Sequence, residues 1–152
     1  MLHVLLFEPE IPPNTGNVIR LCANTGARLH LIGPIGFEMD DARLRRAGLD
    51  YHEFAEVRRH LDLPACLAAL DSPRLFAFST GATRRFDQVA YAPGDAFLFG
   101  PESRGLPAAV LDTIADDHHV RLPMRAGQRS LNLSNAVGIV VFSILVIINF
   151  VV

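Results

Sequence analysis

The chain has 152 residues, half of them hydrophobic and a fifth charged, enough for one domain with a full core and little room for a second. That composition excludes disorder, a collagen and a disulfide scaffold, since Cys22 and Cys66 are the only cysteines. A formal charge of −2 argues against a generally basic nucleic-acid coat, though not against a local patch.

In chain order, His3 to Phe7 is an apolar run that reads as a buried first strand. It comes too soon before the acidic Glu8 to be a signal peptide. The segment from Glu8 to Pro13 is expected to continue no regular element, and Asn14-Thr15-Gly16-Asn17 to cap a helix running to Gly26. Arg28 to Ile32 is a second strand, and Asp40 caps an arginine-rich helix over Asp41 to Ala47, stopped by Gly48. Asp62 to Leu70 is helical, with Pro64 tolerated in the first turn. Arg74 to Phe78, Ala96 to Phe99 and Val120 to Leu122 are strands, Pro107 to Ile114 is a helix, and a last helix starts at Ser134. The arginine pairs at 58–59 and 84–85 read as solvated surface. Uniformly apolar strands separated by helices predict an α/β fold, a sheet covered on both faces. Ligands in such folds bind beyond the carboxyl ends of strands, which directs attention to the loops after Phe7, Phe78, Phe99 and Leu122.

Several chemistries are absent. All fourteen positive side chains are arginine, so there is no lysine nucleophile and no phosphate-loop lysine. Glycine patterns for a dinucleotide, a P-loop or a hydrolase elbow are missing. No metal is expected: the two cysteines stand in no ligand spacing, and the adjacent residues Asp116 to His119 rarely converge on one ion. Two free thiols fit a reducing cytosol.

Three loops do carry a signal. In the first, Asn14 and Arg20 span the loop and early helical turns after two prolines. The second, Gly100-Pro101-Glu102-Ser103-Arg104-Gly105, follows a strand directly, and its glycines let backbone approach a ligand. The third crowds Ser130, Asn132, Ser134 and Asn135 at the start of an apolar helix. One cap would suffice there, so some of the four are expected to face a ligand.

Together these loops resemble the SPOUT superfamily of RNA methyltransferases, in the branch that methylates ribose 2′-hydroxyls. The likeness is nearest to its small bacterial members, which act on cytidine or uridine 34 of tRNA, and runs from Met1 to about Val141. Asn14 and Arg20 match the first motif, N-x-x-x-x-x-R. Gly100, Pro101, Glu102 and Gly105 match the second, G-P-E-x-x-G, and Ser130, Asn132, Ser134 and Ala136 the third, S-x-N-x-S-x-A. E-P-E-I-P-P-N-T-G-N near the N-terminus and R-R-A-G-L-D-Y-H from Arg45 look like the small subfamily.

The resemblance implies a Rossmann-like parallel sheet whose C-terminal segment forms a trefoil knot, a single domain over 1–152, and a homodimer. It implies S-adenosylmethionine as cofactor, held near Phe78, Gly100, Leu122 and Ser130, and the tRNA anticodon loop as partner in the cytoplasm. Arg20 becomes the activator of the 2′-hydroxyl, as a base or as a clamp on the adjacent phosphate. Asn14, Ser130 and Asn132 orient the arginine, ribose or cofactor, and Glu102 fixes its loop. Arg43, Arg45, Arg46, Arg121, Arg125 and Arg129 are the candidates for RNA contact. The final segment, 142–152, departs from the family, which usually has Tyr where Phe142 stands, and the run from Ala136 holds 17 residues without a charge. It carries much of the mean hydropathy of +0.27 and is expected to cover a dimer interface rather than to cross a membrane.

Overall fold

A computed structural model describes residues 1–46, 48–49 and 56–148. Seven strands form one sheet: β1 (His3–Phe7), β2 (Arg28–Ile32), β3 (Arg58–His60), β4 (Leu75–Phe78), β5 (Arg84–Arg85), β6 (Ala96–Phe99) and β7 (His119–Arg121). Their order is β3-β2-β1-β6-β4-β7-β5, and every pairing is parallel. Among the described residues five α-helices accompany them: α1 (Pro12–Thr25), α2 (Asp41–Arg46), α3 (Leu63–Ala69), α4 (Ala108–Leu111) and α5 (Leu133–Ile147).

The pleat sorts the apolar runs onto two faces, as their lack of alternation requires. Val4, Leu6, Leu29, Leu31, Phe97 and Phe99 share one core with Val18, Ile19 and Cys22 of α1. The same core takes Val137, Val140, Val141, Ile144 and Leu145 of α5, a stripe at helical spacing. Leu5, Ile32, Ala77 and Leu98 point the other way, against Leu63 and Cys66 of α3 and Leu106. The chain leaves β1 for one face and β6 for the other, and these strands are neighbours. A crevice therefore opens beyond their carboxyl ends, where such sheets bind ligands.

Four sequence expectations need correction. Pro12 and Pro13 do not delay the first helix but start it, with Ile11 as the N-cap and no side-chain cap. Proline fits a first turn, where its missing N–H would lack an intrahelical partner anyway. Asn14 is thus inside the helix, not its cap. Arg58, Arg59 and Arg85 are exposed as expected while Arg84 is half-buried, and both pairs lie in edge strands, which need backbone pairing rather than an apolar face. The helix expected from Pro107 to Ile114 shortens to Ala108–Leu111, with Pro107 as its N-cap. The strand expected at Val120 begins one residue earlier.

The caps at Asp40 and Asp62 form: Asp40 Oδ1 accepts from the Arg43 N–H at 2.7 Å and Asp62 Oδ1 from the Ala65 N–H at 2.8 Å. Ala47, where α2 was expected to end, the later part of the motif from Arg45, and residues 149–152 of the tail fall outside the described residues. No helix among the described residues is long and apolar enough to cross a membrane.

Candidate active site

The carboxyl ends of β1, β4, β6 and β7 surround a cleft of about 490 Å³, lined by the loops that follow each of them. Phe78 and Phe99 are register partners in adjacent strands, and their rings stack at 4.8 Å with planes 13° apart. Leu122, Met124 and Leu133 extend this apolar lining, and Asn14, Glu102, Ser130 and Asn132 supply polar groups. Of the expected site residues, the structure brings together Asn14, Phe78, Gly100, Glu102, Leu122, Ser130 and Asn132.

Glu102 holds the centre. Its Oε2 accepts from the Glu10 N–H at 2.8 Å, and its Oε1 from the Ile11 N–H at 3.1 Å and the Asn14 Nδ2 at 3.3 Å. The start of α1 has no side-chain cap of its own, so a carboxylate from another loop fills that place, where negative charge also suits the helix dipole. Asn14, nearly buried, passes the connection on: its Oδ1 accepts from Asn132 Nδ2 at 3.0 Å. Asn132 Oδ1 in turn accepts from the Ser134 N–H at 3.0 Å and the Asn135 N–H at 3.3 Å, capping α5. A Glu102–Asn14–Asn132 chain thus joins loops about a hundred residues apart in sequence. Of the four polar residues of the third loop, Asn132 caps, Ser134 and Asn135 are capped, and Ser130 faces the cleft. Ser134 is also bridged to α1, its Oγ accepting from Asn17 Nδ2 at 3.4 Å.

Gly100 is required by a close approach. A Cβ there would lie 2.3 Å from the Leu106 backbone nitrogen and 2.4 Å from the Gly105 carbonyl carbon. Only a residue without a side chain lets the loop fold back on itself after β6.

A second set of contacts escaped the sequence reading. Glu10 accepts from the Ser103 hydroxyl at 2.7 Å and the Ser103 N–H at 3.2 Å, and these bonds hold its carboxyl below the usual carboxylate range. Arg104 pairs with Glu8. The signal was present in the acidic residues of E-P-E and the Ser-Arg pair of the second loop, but their juxtaposition follows only from the adjacency of β1 and β6.

Arg20 does not line the cleft. It is exposed on α1, and its guanidinium donates to the Gly48 carbonyl, fastening α1 to the segment after α2. Arg43, Arg45, Arg46, Arg125 and Arg129 are exposed, and Arg43 stands 3.8 Å from Asp40. Arg121 is half-buried, with its Nε turned inward where no partner meets it among the described residues. These arginines divide between α2 and the region of β7 and the third loop. The adjacent histidines at 118 and 119 are spent on structure: His118 Nδ1 lies 3.0 Å from the Leu75 carbonyl, and His119 Nε2 2.9 Å from that of Ile114.

Residues 1–142 match the SpoU rRNA methylase family. The chain belongs to this family. Among SpoU-family relatives it is 63% identical over 144 residues to the tRNA (cytidine(34)-2′-O)-methyltransferase of Burkholderia ambifaria, covering 93% of this chain and 92% of that one. It is 58% identical over 142 residues to the protein of the same name from Escherichia coli, covering 93% and 90%. A solved structure described for the 2-OH methylation of C/U34 on tRNA superposes with a TM-score of 0.85 at 44% identity, covering 95% of this chain and 93% of that chain. The AdoMet complex of the SpoU methyltransferase AviRb of Streptomyces viridochromogenes gives a TM-score of 0.80 at 21% identity. It covers 95% of this chain and 57% of that chain, a likeness of fold. The resemblance to SPOUT methyltransferases and the parallel α/β sheet are thereby borne out.

Proposed function

We propose that the protein is a cytoplasmic methyltransferase that moves the methyl group of S-adenosylmethionine onto the ribose 2′-hydroxyl of the wobble nucleotide of tRNA, cytidine or uridine 34. The observation that carries this reading is the meeting of three motif-bearing loops in one cleft, in a chain 63% identical to an enzyme of that name.

The residues present fit the cofactor. A cleft of about 490 Å³ is within the range for a nucleoside-sized ligand. Phe78, Phe99 and Leu122 offer apolar surface to an adenine ring, and the glycine-bearing loop from Gly100 presents backbone groups to its polar edges. When bound, the cofactor supplies an electrophilic methyl on sulfur, open to in-line displacement by oxygen. The protein's part is chiefly to position the acceptor and to ease loss of its proton. Asn14 and Asn132, fixed by Glu102, orient groups at the mouth of the cleft, and Ser130 offers a hydroxyl to cofactor or ribose.

Arg20 takes the role of a phosphate clamp in this reading. A guanidinium is not deprotonated in proteins, whereas its planar fork suits phosphate and stabilises a developing alkoxide nearby. The phosphate or a water then accepts the proton. Bound RNA would draw Arg20 from the Gly48 carbonyl, and Arg43, Arg45, Arg46, Arg121, Arg125 and Arg129 would hold the anticodon loop. Ile139, Phe142 and Val146 are exposed along one stripe of α5. They support a homodimer in which the second copy widens the RNA surface. The loops at 100–106 and 122–133 line one cleft, in keeping with a trefoil knot in a single domain.

Incubation with labelled S-adenosylmethionine and bulk tRNA, followed by mapping of ribose methylation, tests the reading. Label at nucleotide 34 is expected; no transfer, or transfer elsewhere, sinks it. Arg20→Lys separates clamp from base: the clamp requires a loss of activity at every pH, and activity kept or raised at high pH contradicts it.

A further inference from the structure

Outside the residues that line the cleft, three histidines cross β1, β2 and β3 on the face covered by α3. His3 Nδ1 lies 3.2 Å from His30 Nε2, and His30 Nδ1 lies 3.0 Å from His60 Nε2. Their rings follow one another at 5.3 and 5.2 Å. Cys66 of α3 sits on the same face, and its sulfur and one ring nitrogen each of His30 and His60 all fall within 4.8 Å of one another. The reaction proposed above uses none of these residues.

We propose that His30, His60 and Cys66 form a binding site for a borderline-soft divalent cation, Zn²⁺ being the natural occupant, with water in the fourth position. Two imidazole nitrogens and a thiolate are the donor set Zn²⁺ prefers, at about 2.0–2.1 Å for nitrogen and 2.3 Å for sulfur. A tetrahedral ion with those bonds holds its two nitrogens roughly 3.3 Å apart, a few tenths of an ångström more than His30 and His60 already show. The same geometry sets nitrogen and sulfur about 3.6 Å apart, so from separations of 4.8 Å or less the sulfur would move by at most about 1.2 Å, on the scale of a side-chain rotation. His3 completes the arrangement from behind. If His30 Nε2–H donates to His3 Nδ1, the His30 Nδ1 lone pair is left facing the site, the usual way an outer partner fixes a ligand's tautomer.

Burial favours the neutral ring of His30, the form that binds metal, and pushes the Cys66 thiol up to about 11, so the incoming ion must displace that proton. His30 and Cys66 are fully buried, and the half-buried His60 on the edge strand leaves an entrance. The sequence hides the site because thirty residues separate the two histidines.

The test uses the full chain stripped with a chelator and titrated with Co²⁺ as a spectroscopic stand-in for Zn²⁺. One equivalent should produce the visible bands of tetrahedral Co²⁺ together with a near-ultraviolet thiolate-to-cobalt charge-transfer band, both bleached by Zn²⁺. Cys66→Ser should abolish the charge-transfer band, whereas Cys22→Ser, whose thiol lies in the opposite core, should keep it. His60→Ala, at an edge strand and so the safer variant for folding, should weaken Co²⁺ binding at least about tenfold. No charge-transfer band in the unmutated protein, or one that survives Cys66→Ser, overturns the proposal. Those outcomes would leave the histidines as a hydrogen-bonded ladder across β1, β2 and β3.

Discussion

The two ends of the parallel sheet use the same chemistry for different purposes. At the carboxyl ends, the carboxylate of Glu102 gathers donors from a loop about ninety residues away and passes the connection through Asn14 to Asn132, at the mouth of an open cleft. At the amino ends, the carboxylate of Asp95, just before β6, receives Arg74 through Nε at 2.8 Å and a terminal nitrogen at 2.7 Å, together with the Ala92 N–H at 2.8 Å. Asp95 is 3% exposed and is not among the residues that line the cleft. A carboxylate that closes a gap between neighbouring strands secures the fold. One that ties loops distant in the sequence, while leaving space beside them, sets up a site.

The contrast is tested most severely where both purposes meet, at Gly100. Gly100→Ala places a methyl group 2.3 Å from backbone that has no rotamer with which to yield. It should cost about 3 kcal/mol of stability or more, at the upper end for overpacking, and should weaken S-adenosylmethionine binding as well. Chemical denaturation and calorimetric titration measure the two effects. Normal stability would mean that the loop is looser than the contact distances state.

Glu102→Gln probes the carboxyl end by itself. The amide keeps the shape but offers N–H where Glu10 and Ile11 already present donors, so one contact turns repulsive. A misplacement near 1 Å at a site that works by positioning costs roughly a hundredfold in rate, or about 2.7 kcal/mol of activation. Methyl transfer should fall by that order while the melting temperature moves little. A large loss of stability with unchanged activity per folded molecule would reverse the roles assigned to the two carboxylates.

How far the sequence revealed this site depends on the range of each interaction. The long apolar strands and the capped helices were legible because their cause is local: burial on both faces, or a side chain within three residues of the amide it accepts from. Arg58–His60 and Arg84–Arg85 were missed as strands because an edge strand takes its order from its neighbour's backbone, which leaves no hydrophobic imprint. Asn14 was recognised as significant through its motif, but its expected role as a cap was wrong. Prolines at 12 and 13 had already started the helix, freeing its amide for Glu102. The Glu10–Ser103 clasp and the His30–His60–Cys66 cluster depend on strand order alone, and no spacing rule reports that order.

The amino end makes its own prediction. Arg74→Ala leaves the buried Asp95 carboxylate with backbone donors only and also removes a guanidinium 5.5 Å from the centre of the Phe76 ring. An under-satisfied buried acceptor costs about 2 kcal/mol, so the unfolding free energy from chemical denaturation should fall by that amount. Methyl transfer per folded molecule should be unchanged, since Arg74 lies at the far end of the sheet from the cleft. A fall in activity without a fall in stability would show that the two ends are coupled.

The smallest effect expected concerns the exposed clasp between Glu10 and Ser103, and it distinguishes an ordered contact from a surface coincidence. Hydrogen bonds from the Ser103 hydroxyl and N–H favour the charged carboxylate, which lowers its pKa in the folded chain. The unfolded chain therefore takes up this proton at a higher pH than the folded one. The clasp contributes fully above the ordinary carboxylate range, and its contribution disappears as pH falls through the depressed value. A carboxyl carbon titration followed by NMR should place the Glu10 midpoint below that of a free glutamate, and Ser103→Ala should return it toward the ordinary value. Because the pair is solvated, the melting temperature should barely respond to Ser103→Ala. If Glu10 titrates normally in the unmutated chain, its contact with Ser103 adds no hold between the two loops, and Glu102 and the Arg104–Glu8 pair fasten the second loop to the first.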